Sequence, residues 1–433
     1  MSYLMPNVVQ LPNRIPVLLL KTNRSSDVQF RALYDTGSIH ESARHAGLAH
    51  FVEHMILRGS NCFPETTQVN QLIDRLGAKM SASTNYDETD FIIQVPSDKL
   101  LSGMKLLTDL LLFPLFNPSH VEIERQVVLS EIGSIHNQLS VHSFDLLMHC
   151  LYPDSPYGRN ILGTEQTLRR IGSEELRAFW KRHYAANGLV LSVSGEFDEV
   201  EVVNSLADSF GRLSRTRRRK TVSKVLTRHS VNKPRQIFES CVTASQAYLS
   251  FGFLTDEAVN ATDVNAMQLL AHLLGGSWSS RLWSNIREQN GLAYSLGADS
   301  YNYGQVGQLI IRAVINPESQ EQAIKIILTE LANICRHGVS TDELTRCKNS
   351  QYGQLQRSLD HPHNLADYYT DQLLFSGKVT KIERYPMWVK SVTPEAIQRV
   401  AKQFLRPDNL HLAIIAPSGN APSMAWLESL LGG

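Results

Sequence analysis

The stretch LAHFVEHMILRGS, from Leu48 to Ser60, has a shorter counterpart later in the chain, LAHLLGGSWSS, from Leu270 to Ser280. His272 in the second stretch lies 222 residues after His50 in the first. The same 222-residue spacing separates NGLVLSVSG, near the middle of the chain, from NLHLAIIAP, near its end. Repeated spacing of this kind indicates an internal duplication, with two similar domains of roughly 200 residues each.

Each copy alternates between strand-like and helix-like segments. The segments VQFRALYDTG, KMSAST and FIIQVP are predicted strands, whereas TTQVNQLIDRLG has the 3.6-residue period of a helix that ends at Gly77. A longer helix is predicted in NPSHVEIERQVVLSEIGSIHNQL, where Asn117 suits the cap and Pro118 the first helical position. We therefore expect an α+β fold, in which each domain has a mainly antiparallel sheet covered by helices.

The duplication and a change in composition predict the domain boundaries. The first domain is expected to span residues 1–211 and the second residues 237–433. Residues 212–236, RLSRTRRRKTVSKVLTRHSVNKPRQ, are basic and lack apolar periodicity, which favours a solvated linker. The alternative is a nucleic-acid patch at residues 215–220, although that run has no interleaved aromatic residues.

The composition limits the class of protein. The 433 residues are 42% hydrophobic, and 42 basic residues balance 42 acidic ones, so no overall charge attracts nucleic acid or an anionic membrane. The five cysteines are odd in number and widely spaced, without a C-x-x-C pair, which favours a reducing compartment. Because neither a signal peptide nor a membrane span is evident in the sequence, we expect a cytoplasmic protein with no membrane partner.

Two histidines four residues apart on a helix lie on one face, so His50 and His54 can bind one metal ion together. Glu53 lies close to that face, where it can act on a metal-bound water without binding the metal. Zinc suits such a site because it accepts imidazole and carboxylate ligands and lowers the pKa of bound water to about 7. The alternative is an amphipathic helix that is rich in histidine by chance.

A catalytic zinc site needs a third protein ligand, and the segment EIERQVVLSEIGSI offers two candidates. Glu124 and Glu131 are seven residues apart, or two helical turns, and therefore share a face. One carboxylate could bind the metal while the other orients the ligands. Alternatively, this face of the helix is simply exposed.

The second copy has glycine at the positions that correspond, by the 222-residue spacing, to Glu53, His54 and Glu131. These glycines are Gly275, Gly276 and Gly353. Because glycine has no side chain to donate, we expect one zinc ion per chain, bound by the first copy. His272, the counterpart of His50, is then predicted to be a core or helix-surface histidine.

On these residues the chain resembles the M16 (pitrilysin or inverzincin) metallopeptidases, in particular the short subfamily that includes bacterial peptidases and mitochondrial processing peptidase. The family signature is H-x-x-E-H followed by a glutamate 77 residues after the second histidine, and Glu131 holds that position here. The segments ERQVVLSEI, SPYGRNILGT and VLSVSGEFD also resemble family segments. The resemblance implies that His50, His54 and Glu131 bind zinc. It also implies that Glu53 is the general base and that Glu124 supports the ligands without binding the metal.

The second copy carries the other motif of the family, an arginine and a tyrosine seven residues apart in REQNGLAYS. By resemblance, Arg287 and Tyr294 donate hydrogen bonds to the substrate carbonyl and to the oxyanion that develops on it. The strand that pairs with substrate has Ser-Ala where family members usually have Asn-Ala, which puts specificity rather than activity in question. The expected substrate-binding residues of this strand are Ser81, Ala82, Ser83 and Thr84.

The resemblance therefore implies a zinc endopeptidase that cleaves short unstructured peptides. Its two domains are expected to form half of a clam-like chamber, which a second identical subunit completes. Two alternatives stay open. One is a non-catalytic structural subunit of a larger assembly, and the other is one half of an obligate heterodimer.

Overall fold

The computed structural model describes residues 4–215, 234–255, 261–303, 306–382, 384–419 and 421–432. Most of the predicted linker, residues 216–233, therefore lies outside the described residues. The strands are β1 (Asn7–Gln10), β2 (Pro16–Lys21), β3 (Asp27–Tyr34), β4 (Lys79–Thr84), β5 (Thr89–Pro96), β6 (Leu189–Gly195), β7 (Arg235–Ser240), β8 (Ala247–Thr255), β9 (Ala293–Tyr303), β10 (Val306–Ile315) and β11 (His411–Ala416).

The helices come in runs between groups of strands, which is typical of an α+β fold. They are α1 (Leu48–Ile56), α2 (Thr66–Leu76), α3 (Leu100–Leu112), α4 (Pro118–Asn137), α5 (Leu139–Leu151), α6 (Glu165–Leu168), α7 (Ser173–His183), α8 (Glu199–Asp208), α9 (Ala261–Gly275), α10 (Gln320–His337), α11 (Thr341–Leu359), α12 (Pro362–Ser376), α13 (Arg384–Ser391), α14 (Pro394–Phe404) and α15 (Met424–Gly432). None of the described helices combines the length and apolar character needed to cross a membrane. All five cysteines are free.

The predicted local signals are confirmed in α2 and α4. Helix α2 ends at Gly77, which adopts the left-handed conformation with φ of 59° that glycine tolerates without strain. Helix α4 begins at Pro118, and the Asn117 side chain accepts a hydrogen bond of 3.1 Å from the backbone N–H of Ser119.

The strands form two sheets with a shared order. The first sheet runs β1-β2-β6-β3-β5-β4 and the second runs β7-β11-β8-β10-β9. Without β1, the two orders match strand for strand, and each sheet has a parallel pair, β2 with β6 and β7 with β11, beside antiparallel pairs. This equivalence confirms the predicted duplication and makes each sheet mixed, although mainly antiparallel.

The two compact units are not continuous in sequence. The first consists of Met1–Ile132, Asn160–Thr221 and Gln356–Ile382, and the second of Gly133–Arg159, Val222–Leu355 and Glu383–Gly433. The predicted domains, 1–211 and 237–433, were continuous instead. The difference arises because each half of the sequence supplies one helix to the unit built mainly from the other half.

Packing explains the two exchanged helices. In the second unit, α5 lies on β8 so closely that a Cβ atom added at Gly252 would come 2.9 Å from Leu151 and 3.1 Å from Leu147. In the first unit, α12 packs on β2, β3 and β6, where Nδ1 of His363 lies 2.7 Å from the Ser194 hydroxyl. Each helix thus covers a sheet face that would otherwise expose apolar strand residues to water.

Candidate metal centre

Helix α1 is held in the first unit by its apolar face and by its first turn. Its fully buried core residues are Ala49, Phe51, Val52 and Ile56. The Glu41 carboxylate accepts backbone hydrogen bonds of 2.9 Å from Gly47 and 2.5 Å from Ala49, so a negative charge lies at the positive end of the helix. Gly47 adopts φ of 93°, and a Cβ atom there would come 2.4 Å from the Leu162 carbonyl oxygen. The polar residues of α1 are therefore held in a fixed position.

The structure brings His50, His54 and Glu131 together. The two Nε2 atoms lie 3.2 Å apart, and Oε2 of Glu131, on α4, lies 3.7 Å from Nε2 of His50 and 3.5 Å from Nε2 of His54. Each of the three residues has one possible ligand atom, and these atoms all lie within 4.8 Å of one another. Among the described residues, no other three His, Cys, Asp or Glu side chains meet this condition. Two imidazole nitrogens and one carboxylate oxygen are a typical protein ligand set of a catalytic zinc ion, which leaves one position open.

Glu124 contacts His54 at Nδ1, the ring nitrogen that faces away from the other candidate ligands, and does not belong to the group of three. Its Oε1 atom lies 2.7 Å from Nδ1 of His54, and its Oε2 atom contacts the Arg58 guanidinium. A carboxylate at Nδ1 favours the tautomer with its proton there, which leaves Nε2 free as a metal ligand. Glu124 is thus positioned to orient His54, whereas Glu131 is positioned to bind the metal.

The surroundings shift the pKa values of His50 and His54 in opposite directions. Burial, with a smaller effect of His54, lowers the pKa of His50 to about 3, so the ring is neutral and available as a ligand. Burial also disfavours protonation of His54, but the contact with Glu124 and the charges of Glu53 and Glu131 outweigh it and raise its pKa. A metal ion must therefore compete with a proton at His54 more than at His50.

Glu53 is only 7% exposed and lies outside the group of three. Burial raises its pKa, while a hydrogen bond of 2.8 Å donated by the Thr84 hydroxyl to Oε2 opposes that shift. Thr84 is the last residue of β4, so this bond connects the carboxylate to a strand as well as to its own helix. A buried carboxylate held in a fixed orientation has the properties expected of a general base.

Strand β4 carries the predicted substrate-binding residues. It is at the edge of the first sheet and pairs only with β5 among the described strands. Met80 and Ala82 pack against the core, whereas Ser81 and Ser83 are exposed. The outer edge of β4 can therefore accept an additional strand, as the resemblance implies.

Arg287 and Tyr294 lie in the second unit, not in the unit that contains the candidate metal ligands. Arg287 is in a π-helix from Trp283 to Glu288, and its Nη1 atom donates a hydrogen bond of 3.0 Å to the backbone carbonyl of Tyr294. Tyr294 is the second residue of β9 and is 75% exposed. Both side chains are available at the surface of their unit.

In the second copy, two of the three glycines, Gly275 and Gly276, have no room for a side chain. Gly275 ends α9 against β9, where a Cβ atom would come 2.5 Å from the Ala298 nitrogen. A Cβ atom at Gly276 would collide with the His272 ring at 2.3 Å. His272 itself is buried, with its Nε2 atom 3.1 Å from the Ser350 hydroxyl, so of the two predicted places, the core or the helix surface, it lies in the core.

Two residues near the metal group were not predicted from the sequence. Glu41 accepts bonds from the first turn of α1, and an acidic residue ahead of a helix is a recognised signal for that role. Arg58 pairs with Glu124, the residue that also contacts His54, and no sequence pattern indicated this pairing.

Comparison with known proteins agrees with this geometry. The family model described as "Insulinase (Peptidase family M16)" matches residues 17–165, and the model described as "Peptidase M16 inactive domain" matches residues 170–351. A Bacillus subtilis protein named uncharacterized zinc protease YmxG is 27% identical over 416 residues, which cover 95% of this chain and 98% of that protein.

Solved structures share the fold. A peptidase M16 inactive domain from Pseudomonas fluorescens superposes with a TM-score of 0.86 at 18% identity, covering 96% of this chain and 99% of that one. The periplasmic protease PqqL from Escherichia coli has a TM-score of 0.82 at 19% identity, with all of this chain matched but only 51% of PqqL. From the two family models, the shared fold and the candidate metal-binding group, we conclude that this chain belongs to the M16 (insulinase) family of metallopeptidases.

Proposed function

We propose that the protein is a zinc-dependent endopeptidase. The observation that carries this proposal is the group of His50, His54 and Glu131 with the buried carboxylate of Glu53 beside it. Zinc bound there would polarise a peptide carbonyl and lower the pKa of a bound water to about 7. His50 and His54 would hold the ion through Nε2, Glu131 would complete the protein ligands, and Glu124 would hold the His54 ring in place.

Glu53 is the proposed general base. Its carboxylate would take a proton from the attacking water and later deliver that proton to the nitrogen of the departing amine. The Thr84 hydroxyl donates to Oε2 of Glu53, and the remaining lone pairs of the carboxylate would accept the proton. Burial supports this role because a carboxyl group with a raised pKa is a stronger base than one in water.

The proposed substrates are short unstructured peptides. The free edge of β4 supports this because only an extended chain can pair its backbone with a strand edge. Ser81 to Thr84 would form the pairing segment, and Thr84 would connect that segment to Glu53. A compact folded protein would have to unfold locally before it could bind there.

We further propose a homodimer in which the second unit of one subunit faces the first unit of the other. Arg287 and Tyr294 would then donate hydrogen bonds to the substrate carbonyl and its oxyanion at the partner's metal centre. The match of this whole chain to about half of PqqL supports an assembly of two such chains. A heterodimer, or a non-catalytic subunit of a larger assembly, would be the alternative.

The test separates the base from the ligand. Glu53→Gln is expected to retain one zinc per chain and to lose peptide hydrolysis, because it removes only the proton acceptor. Glu131→Gln is expected to lower zinc affinity, because a neutral amide is a weaker ligand than a carboxylate. Zinc content by elemental analysis and cleavage of a mixed peptide library would be measured on both variants. Normal turnover by Glu53→Gln would refute the proposed function.

A further inference from the structure

Two indole rings lie beside Arg287 in the second unit, and the proposed chemistry assigns no role to either. Trp278 follows α9 and is 73% exposed, while Trp283 begins the π-helix and is partly buried. The ring centroids are 4.8 Å apart, at an interplanar angle of 46°. An aromatic side chain that stays exposed to water contributes little to the stability of the fold, so its exposure favours a role in binding.

The backbone around these rings is unusual. Residues Trp283–Glu288 form a π-helix, a conformation that is rare in proteins and is found frequently at functional sites. Leu282 and Ile286 are fully buried and attach this segment to the core. Trp283 and Arg287 are four residues apart, which places them in nearly the same direction along the wider π-helical turn.

The rings hold the Arg287 guanidinium. Its carbon atom lies 4.8 Å from the Trp283 ring centroid and 5.6 Å from that of Trp278, within the range of cation–π contacts. Its Nη1 atom is fixed by the Tyr294 carbonyl. In the described part of the chain, no carboxylate lies within ion-pair distance of Arg287. The cation is therefore held by π-faces and a backbone carbonyl, and its other N–H groups keep donor capacity for an acceptor from outside.

We propose that Trp278, Trp283 and Arg287 form a peptide-recognition platform. Arg287 donates to a main-chain carbonyl of an extended peptide, and Trp278 packs against an apolar, preferably aromatic, side chain next to that carbonyl. Trp283 is the positioning residue that keeps the guanidinium in place. The inference rests on the proposed peptidase function, but it concerns which peptides bind and not how they are hydrolysed.

The charge at the platform favours a peptide over a nucleic acid. A phosphate backbone is bound by several basic side chains along a path, whereas the platform has one cation and the neighbouring Glu288 is an exposed acid. One guanidinium flanked by indole surface matches one polar acceptor flanked by an apolar side chain, which is the repeating pattern of an extended peptide.

The test measures binding on the full-length, zinc-loaded Glu53→Gln protein. The probe is a short dye-labelled peptide of alanine and serine, into which a single phenylalanine is moved position by position, with affinity followed by fluorescence anisotropy. At one position, phenylalanine is expected to tighten binding about three- to tenfold, the range of a single aromatic contact. Trp278→Ala should abolish that gain, and Trp278→Phe should keep most of it.

Trp388 provides a matched control, since it is a 39% exposed indole on α13 of the same unit. Trp388→Ala should leave the phenylalanine gain unchanged. Trp283→Ala should instead weaken binding of every peptide, including the phenylalanine-free one, and Trp283→Phe should restore it. Circular dichroism on each variant verifies that the fold is intact.

Several results would overturn the platform. They are the absence of peptide binding, the absence of a phenylalanine gain at any position, and a gain that persists in Trp278→Ala or disappears in Trp388→Ala. Hydrolysis by the unmodified chain is measured in parallel. If that hydrolysis is absent while the Trp278-dependent gain is present, the proposed peptidase function fails and the platform stands.

Discussion

Thr84 and Glu53 meet through one hydrogen bond, although 31 residues separate them in the sequence. The bond uses a hydroxyl from the edge strand and a carboxylate from α1, so it couples the segment proposed to bind substrate to the proposed base. A similar contact orients a candidate metal ligand: Glu124 contacts His54, although 70 residues separate them in the sequence. Single polar contacts between elements therefore set the orientation of both the proposed base and one candidate metal ligand.

Replacement of Thr84 by valine tests the first of these contacts. The loss of a hydrogen bond to a charged group is expected to lower kcat about tenfold to a hundredfold, with zinc content unchanged. Thr84→Ser keeps the hydroxyl and should retain most of the activity. Steady-state kinetics with elemental analysis would show the effect, and a rise in KM at unchanged kcat would place Thr84 in substrate binding alone.

His411 gives a prediction about stability and pH. Burial lowers its pKa to about 4, against a smaller opposing effect of its contact with the Asn409 carbonyl. The folded state therefore favours the neutral ring, so its contribution to stability is complete above pH 6.5 and is lost as the pH falls from 6.5 towards 4. Between pH 7 and pH 5 this loss amounts to about 2 kcal/mol.

The His411→Gln variant isolates that contribution. Urea unfolding of the metal-free chain and of the variant would be measured at pH 7 and pH 5. Between pH 7 and pH 5, the free energy of unfolding should fall in both proteins. The fall should be smaller in the variant, by about 2 kcal/mol, because glutamine does not titrate in this range. Equal pH dependence in the two proteins would contradict the assignment.

At the scale of elements, β4 and the exchanged helices matter most. Strand β4 is an edge strand whose exposed serines alternate with Met80 and Ala82, which pack on the core. Its small outward side chains leave the backbone edge accessible to an added strand. Helices α5 and α12 each cover the sheet of the unit built mainly from the other half of the sequence. A cut between the predicted domains would therefore remove one covering helix from each sheet.

Ser81→Asn tests the departure from the usual family residue. A longer amide at this exposed position adds a donor and an acceptor beside a bound peptide, while the backbone edge and the metal ligands stay the same. The cleavage profile on a mixed peptide library is expected to shift, with kcat on a well-cleaved peptide changing about threefold or less. An identical profile would show that the Ser81 side chain has no part in specificity.

At the scale of the whole molecule, the candidate metal ligands and the Arg287–Tyr294 pair belong to different compact units. The proposed homodimer joins them across subunits, and this makes a prediction that neither unit makes alone. A Glu53→Gln subunit keeps Tyr294, and a Tyr294→Phe subunit keeps the base. A mixed dimer of the two would therefore contain one intact site and one site with both changes.

Mixing the two variants should restore activity. Random re-association of equal amounts makes about half of the dimers mixed, so roughly a quarter of the normal activity is expected from two nearly inactive parents. Differently tagged subunits would establish that exchange is complete. If the mixture then stays as inactive as its parents, Tyr294 does not act at the partner's metal centre.

The sequence alone was sufficient for the features that depend on local periodicity. The helical spacing of His50 and His54 places both rings on one face because backbone hydrogen bonds set 3.6 residues per turn in any α-helix. The duplication was likewise visible as a 222-residue spacing between two pairs of similar segments, and the shared strand order confirms it. The seven-residue spacing of Glu124 and Glu131 also placed both candidate third ligands on one helix face, and family resemblance selected Glu131.

Contacts between distant segments required the tertiary structure. The pairing of Glu124 with His54, the hydrogen bond from Thr84 to Glu53 and the edge position of β4 depend on strand order and helix packing, which no local pattern encodes. The exchange of α5 and α12 has the same origin. An amphipathic helix shows in its sequence that it has an apolar face, but which sheet covers that face is decided by the packing of the whole chain.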